Sequence, residues 1–472
     1  MAAVFVALTA ALWILYGPTH LGYDASFALK WGDDLGSGAL PRFDARPGPP
    51  TPHPLTNAIA TLLSPLGKTA APIALELVAI AWFAALALVC AQLGTRLFAL
   101  PVGAFFALLV ITQPRLLDEV MITATDVAFA ALMVAALVLV AKHPRRGRAP
   151  LLLLAAAGLV RPEGWGFALL YGAYLVFIAK PRDRLALGAL ALVGPAVWML
   201  VDLAITGNPL FSLQGTRELA AQLNRTTGLG PAVTTLPGRL ETAIGQPMAW
   251  LGLLGWAVAL WAFFERVWLP SLVIVLSIGG YLVLGLAELP LQPRYLTLPG
   301  IMLELFAAVL VFGWTRLERG RIRDTWMVAS ALPLALFLLS VPAQVRSLDE
   351  ERTESGASHA AQRDLEQLVT SPAARRAFAE CRPVHVHDFR VRPFVWYWAG
   401  IQPEATESDL VGEGERGSYV TPGRSRELPA EAARLGFYRE EGSPPRRLLT
   451  PPRGARVVAS TDHWRVDTIG CR

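Results

Sequence analysis

The sequence predicts a mostly α-helical, polytopic membrane protein that ends in a small extracytoplasmic α/β domain. Of its 472 residues, 54% are hydrophobic and only 17% are charged, whereas an ordinary soluble domain carries about 25% charged residues. Apolar segments of membrane-spanning length recur from the N-terminus to about residue 342. After that point the composition becomes charged and rich in Pro and Gly. These observations favour a membrane domain over 1–342 and an α/β domain over 343–472.

Nine apolar segments are long enough to cross a bilayer. They lie near residues 3–17, 72–97, 99–117, 124–141, 185–205, 248–265, 268–287, 296–314 and 326–342. The first has no basic region before it and no small-residue cleavage site after it, so we expect a retained helix rather than a signal peptide.

The apolar run 151–179 allows two interpretations because RPEG, at 161–164, interrupts it. It is either one tilted helix with charges near mid-bilayer, which is costly, or a helical hairpin with RPEG at its tip. The hairpin places the basic clusters 142–148, 180–184 and 316–323 on one side, and the positive-inside rule makes that side cytoplasmic. We therefore expect about eleven membrane segments, a cytoplasmic N-terminus and an extracytoplasmic C-terminal domain in the plasma membrane.

This threading brings the polar segments of the membrane domain to the outer face. They are the long outer loop 17–71, the corner DEVMITATD at 118–126, the RPEG tip, the loop 206–247 and LPLQPRYL at 289–296. Within the C-terminal domain, RPVHVHDF and ARVVAST have the alternation of strands, and 358–371 has a helical period. Cys381 and Cys471 lie outside, where oxidising conditions favour a disulfide, while Cys90 lies within an apolar helix.

Asp24, in the outer loop, has two interpretations. Asp is a favoured N-cap, and residues 25–35 have the pattern of an interfacial amphipathic helix that ends at the solvated pair Asp33 and Asp34. Alternatively, Asp24 is a general base that faces a cavity at the outer edge of the bilayer.

The corner at 118–126 contributes a second acidic group. Asp126 begins an otherwise apolar helix, and an intramembrane carboxylate indicates a functional site by default. Asp118 and Glu119 are equally explained as a solvated loop, which is the interpretation favoured for Glu119.

Two arginines follow on the same side of the membrane. Arg161 and Glu163 form either a local ion pair at the hairpin tip or, through the planar guanidinium, a site for an anionic headgroup. Arg294 is either a snorkelling interfacial residue or a second ligand of the same anion. His53, in TPHPL, is a weaker candidate. His385 and His387 share one face of a strand, but no further ligands with metal spacing lie near them.

Other chemistries are poorly supported. The sequence has no GxxxxGK[ST], GxSxG, CxxC or HExxH motif. The net charge of +5 is explained by basic cytoplasmic loops, so nucleic acid is not an expected partner.

The order of these motifs resembles the GT-C superfamily of polytopic glycosyltransferases, which includes protein O-mannosyltransferases and the aminoarabinose transferases that modify lipid A. The matching stretches are GYD at 22–24, SGALPRF at 37–43, PHPL at 52–55, TATDVAF at 123–129 and QPRYLTLP at 292–299. RPEGW and the C-terminal DHWRV resemble uncharacterised actinobacterial-type members with a small outer domain.

The resemblance implies transfer of a sugar, with inversion, from a polyprenyl-phosphate donor to a glycan, lipid or protein acceptor at the outer face. It implies that Asp24 is the base and that Asp126 supports it. Arg161 and Arg294 would hold the lipid phosphate, with His53, Glu163 and Tyr295 also contacting substrate. The family expects a basic residue where His53 stands, and His53 is charged only part of the time near neutral pH. No cofactor is certain, and a requirement for a divalent cation is left open.

Two other classes fit the same features. A transporter or flippase of lipid-linked precursors also needs intramembrane acids and arginines, but no repeated halves are evident in the sequence. A non-catalytic scaffold that keeps the fold is the third alternative.

Overall fold

The computed structural model describes residues 2–45, 50–145, 147–222, 224–386, 390–403, 406–408, 416–423 and 451–471. Within these ranges the first half of the chain is helical. Its helices are α1 (Ala2–Tyr16), α2 (Tyr23–Gly36), α3 (Pro54–Leu63), α4 (Gly67–Leu97), α5 (Leu100–Thr112), α6 (Pro114–Met121), α7 (Asp126–Lys142), α8 (Arg148–Val160), α9 (Glu163–Ile178) and α10 (Pro181–Thr206). Each predicted apolar segment of this half is helical.

The second half adds eight more helices and a sheet. The helices are α11 (Phe211–Gln222), α12 (Leu229–Ile244), α13 (Met248–Leu286), α14 (Thr297–Phe312), α15 (Arg321–Ala329), α16 (Ala331–Thr370), α17 (Pro372–Glu380) and α18 (Arg392–Ala399). Short 3₁₀ helices lie at Ser64–Leu66, Pro293–Leu296 and Gly313–Arg316. Helix α16 runs through the predicted domain boundary at 342/343 without a break.

Five helical stretches of the described chain are long and apolar enough to cross a membrane, and a sixth is added if α5 and α6, bent by 55°, form one span. Large apolar side chains such as Trp250, Trp261 and Phe264 are exposed on α13, as lipid contact requires. The chain is therefore a multi-pass membrane protein. The expected number of about eleven segments stays a prediction.

Helix α13 folds back on itself. Phe263 has non-helical backbone angles, and Trp256 Nε1 donates a hydrogen bond to Ser271 Oγ over 2.7 Å. Fifteen residues of straight helix separate two atoms by roughly 22 Å, so the two halves of α13 must lie side by side. They correspond to the two separate segments predicted at 248–265 and 268–287.

The interruption at RPEG also forms a hairpin. Helices α8 and α9 are separated only by Arg161 and Pro162. Leu151 and Leu175, which are nearly equidistant from the break, belong to one buried apolar cluster. Residues of the basic clusters 142–148 and 180–184 line one small cleft at the other end of the hairpin. Both clusters therefore lie on the same side, as the hairpin interpretation requires.

The C-terminal region contains a five-stranded mixed sheet. Its strands are β1 (Val384–Val386), β2 (Thr406–Ser408), β3 (Gly417–Pro422), β4 (Arg456–Ser460) and β5 (Trp464–Ile469), in the order β2-β1-β3-β5-β4. Strand β1 is parallel to β2 and β3, whereas β3 with β5 and β5 with β4 are antiparallel. A disulfide joins Cys381 to Cys471, whose Cα atoms are 5.5 Å apart.

The C-terminal region covers helix α2. Residues 25–32 of α2 are all buried, and the Phe27 ring packs edge-on against Trp396 of α18 at 5.8 Å. This later part of the chain therefore covers α2, and the position of the helix at the membrane surface stays a prediction. Asp34 at its end is bonded to Lys30 over 2.5 Å rather than fully solvated.

Candidate active site

A cavity of about 1330 Å³ brings together every substrate or catalytic residue predicted from the sequence. Its wall includes Asp24, His53, Asp126, Arg161, Glu163, Arg294 and Tyr295. These residues come from α2, the loop before α3, the start of α7, the α8–α9 break and the 3₁₀ turn before α14. The loop charges predicted that these residues lie on one side of the membrane, and the structure does bring them together.

Asp24 stands in the first turn of α2 and lines the cavity. The N-cap of this helix is Gly22, so the interpretation of Asp24 as a cap is wrong. A carboxylate in the first turn is still favoured by the helix dipole. Gly22 donates its N–H to Ile122 O over 2.8 Å, and a Cβ at Gly22 would come within 2.5 Å of that oxygen. The loop before Asp24 can therefore lie against the α6–α7 corner only with glycine at position 22.

Helix α16 holds the other side of the same loop. The buried Gln362 side chain accepts from Leu21 N over 3.0 Å and donates to Leu21 O over 2.7 Å. His20 Nδ1 is 3.0 Å from Ser355 Oγ. Burial lowers the pKa of His20 to about 4, with the nearby charge of His359 acting in the same direction. The backbone that presents Asp24 is thus fixed between α16 and the α6–α7 corner.

Arg161 is the centre of a buried charge cluster. Its Nη1 donates to Asp126, and its Nη2 donates to Glu163 over 2.6 Å. The side chains of Arg161 and Asp126 are only 7% and 3% exposed. The local ion pair expected at the RPEG tip is therefore present, and it includes Asp126. Since both ends of the guanidinium fork are occupied, Arg161 orients these two carboxylates.

The pair of Arg294 and Asp24 is much looser. Arg294 Nη1 is 3.5 Å from Asp24 Oδ2, and the two side chains are 29% and 25% exposed. The Tyr295 ring lies between the two arginines, with its centroid 4.8 Å from Arg161 Cζ and 5.9 Å from Arg294 Cζ. A partly solvated ion pair contributes about 0–1 kcal/mol, whereas breaking a buried one costs about 3–5 kcal/mol. The contact between Arg294 and Asp24 can therefore be broken at little cost, whereas the buried pair of Arg161 and Asp126 cannot.

His53 is neutral in this setting. Its Nδ1 is 2.7 Å from Val160 O, and because a carbonyl only accepts, Nδ1 carries the proton and Nε2 is the acceptor. Burial lowers the pKa of His53; Asp24 acts to raise it, while Arg161 and Arg294 lower it further. A neutral imidazole is a hydrogen-bonding group rather than a cation for phosphate.

Several cavity residues escaped the sequence analysis. Asp202 of α10 accepts from Ser212 N over 2.9 Å and from Ser212 Oγ over 2.8 Å, and Trp198 Nε1 donates to the same Oγ over 3.0 Å. An aspartate within apolar α10 is the signal that could have found this group. Glu119 is 2% exposed and lines the cavity. The expectation that it is solvated is therefore wrong.

In the ranges that the structure describes, no three His, Cys, Asp or Glu side chains converge as a metal ion requires. Asp24 pairs with Arg294 and Asp126 with Arg161, and the proposed reaction uses no step that depends on a cation. His385 is buried against Tyr419, with ring centroids 4.4 Å apart. His387 lies outside the described residues.

Solved structures share this architecture. The crystal structure of ArnT from Cupriavidus metallidurans bound to undecaprenyl phosphate matches 99% of this chain and 97% of its own, with TM-score 0.55 and 15% identity. The apo oligosaccharyltransferase of Archaeoglobus fulgidus matches 92% of this chain and 70% of its own, with TM-score 0.53 and 11% identity. Both are GT-C glycosyltransferases. The chain has the GT-C fold. The resemblance predicted from the motif order is thus confirmed. No family model and no curated protein matches the chain.

Proposed function

We propose that the protein is a membrane glycosyltransferase of GT-C type that moves a sugar from a polyprenyl-phosphate donor to an acceptor at the outer face, with inversion. The observation that carries the proposal is the loose pair of Arg294 and Asp24 in the wall of the cavity that also contains the buried Arg161 cluster. The GT-C fold supports it, because ArnT with this fold binds undecaprenyl phosphate. The acceptor is a glycan, lipid or protein.

In the proposed reaction the donor phosphate binds Arg294, which leaves Asp24. The acceptor oxygen or nitrogen attacks the anomeric carbon while the bond from that carbon to the phosphate oxygen breaks. Asp24 takes the acceptor proton, and Arg294 stabilises the charge on the departing phosphate. Arg161 holds Asp126 and Glu163 in place. This assigns the phosphate mainly to Arg294 rather than equally to both arginines.

The proposal includes the orientation of the chain. The disulfide between Cys381 and Cys471 favours an oxidising compartment for the C-terminal sheet. The basic clusters at the far end of the α8–α9 hairpin favour the cytoplasm for that end. Together they support an extracytoplasmic cavity and a cytoplasmic N-terminus. The isoprenoid tail can then remain in the bilayer while its phosphate reaches Arg294.

The test is transfer by purified protein from a panel of polyprenyl-phosphate sugars, with products separated by thin-layer chromatography. Asp24→Asn should lower kcat by about 10²- to 10⁴-fold, because a general base contributes that much. Asp33→Asn is the matched control, since Asp33 lies on the same helix but pairs with Lys68 outside the cavity. Undiminished transfer by Asp24→Asn would remove Asp24 as the base. Movement of intact donor across vesicles without transfer would favour the flippase alternative.

A further inference from the structure

Glu119 is a buried acidic residue of the cavity wall that the proposed reaction leaves unused. It lies near the end of α6, one turn after Arg115, and is 2% exposed. Its Oε2 is buried and, within the described part of the chain, has no hydrogen-bond partner. Nevertheless the residue lines the cavity. The charges that act on it most are those of Asp118, Arg294, Arg115 and Arg161.

A buried carboxylate without hydrogen bonds is costly, and native proteins rarely leave one unsatisfied. Glu304 of α14 offers a comparison within the same chain. It is 1% exposed, and its Oε2 is also without a partner among the described residues, but it stands within the apolar helix bundle and does not line the cavity. Only Glu119 of these two is placed where a substrate can satisfy it.

The neighbouring charges decide which part of a substrate fits. A carboxylate repels phosphate, so Glu119 is unsuited to the group that binds Arg294. The sugar is bonded directly to that phosphate, and its ring therefore lies within a few ångströms of it. The hydroxyl and amino hydrogens of such a ring are donors, and a carboxyl group offers an acceptor oxygen in either protonation state.

We propose that Glu119 is a specificity-determining residue that accepts a hydrogen bond from an N–H or O–H substituent of the donor sugar. This inference rests on the proposed function and names the part of the donor that the site reads. Glu119 would then favour sugars that carry a hydrogen-bond donor at the ring position that faces α6. Analogues in which that group is removed or methylated leave the carboxylate unpaired and are rejected.

The experiment separates binding of the sugar from binding of the lipid phosphate. Glu119→Gln keeps the volume of the side chain and removes its charge, and Glu119→Ala removes the acceptor altogether. Two variants are the matched controls. Asp118→Asn controls for loss of a negative charge on α6, and Glu304→Gln controls for loss of a buried carboxylate elsewhere in the protein. For each purified variant, affinity is titrated for polyprenyl phosphate alone and for the same lipid carrying each sugar of the panel.

Glu119→Gln should weaken binding of the preferred sugar-bearing lipid by about 10- to 100-fold, as expected for a hydrogen bond to a charged group. Binding of polyprenyl phosphate alone should change less than about twofold, and this also reports that the variant is folded. In turnover, KM for the donor should rise while kcat changes less. In Glu119→Ala, a donor analogue that lacks the contacted group should bind no worse than the complete donor.

The inference is overturned if both lipids lose affinity equally, if the acceptor KM changes instead, or if either control behaves like Glu119→Gln. Failure of the proposed function has a different signature. In that case the wild-type protein transfers no sugar from any donor, whatever the titrations show.

Discussion

The buried pair of Arg161 and Asp126 allows the sharpest test of the site's architecture. In Arg161→Met the cavity wall keeps the carboxylates of Asp126 and Glu163 but loses the guanidinium that bonds both. Removing one partner of a buried ion pair costs about 3–5 kcal/mol, because the other charge stays buried and unpaired. The side chains of Arg161 and Asp126 are only 7% and 3% exposed, so the cost of a buried pair applies here rather than the about 0–1 kcal/mol of a surface pair.

Asp126→Asn should cost less, about 1–3 kcal/mol, since Arg161 keeps Glu163 and an asparagine oxygen still accepts. The combined variant should recover part of the loss, with a coupling energy of about 2 kcal/mol. The free energy of unfolding can be measured by SDS titration in mixed micelles. Tryptophan fluorescence is a suitable signal, because Trp165 lies four residues after Arg161 and its ring centroid is 5.7 Å from that of Trp198. Additivity of the two single costs within about 0.5 kcal/mol would refute the coupling.

Three further perturbations have defined outcomes. In the unfolded chain His20 takes up a proton below about pH 6.5, whereas burial keeps it neutral down to about pH 4 in the fold. Acidification through this range should therefore lower the free energy of unfolding by about 1.4 kcal/mol per pH unit and about 3 kcal/mol in all. In unfolding measured against pH, His20→Asn should remove this slope. Loss of the disulfide in Cys381→Ser should cost about 2–5 kcal/mol, and Cys381→Ser with Cys471→Ser should cost no more than either alone in thermal melts. Gln362→Ala should cost about 1–3 kcal/mol and raise hydrogen exchange at Leu21, whereas exposed Gln367→Ala should change neither.

The sequence predicted the helices of the membrane domain well, because long apolar runs and loop charge are local signals. The same signals placed Asp24, Asp126, Arg161 and Arg294 on one face, and these residues do share a cavity. Their side chains meet across as many as 270 positions of sequence, so their pairings could not be read from spacing. Which arginine holds which carboxylate depends on packing.

Burial of Glu119 and of α2 depends on parts of the chain far from either. Helix α6 packs against α16, more than 200 residues later, and Trp396 covers Phe27. A polar residue at a helix end looks solvated until such a cover is known. Asp202 is a missed cavity residue with a local signal, because a charge inside an apolar helix is expensive without a partner. The apolar context of α10 was sufficient to flag it.

The unequal engagement of the two arginines couples substrate binding to activation of the base under the proposed function. While Arg294 faces Asp24, the carboxylate is shared and poorly placed to take a proton. A donor phosphate competes with Asp24 for the same guanidinium, and the contact that it replaces is 3.5 Å long and partly solvated, so the exchange costs little. Asp126 and Glu163 stay bound to Arg161 when the phosphate arrives, because these ion pairs are buried. The cavity can therefore release one carboxylate when the phosphate arrives and keep the others fixed, which a set of equally strong pairs would not permit.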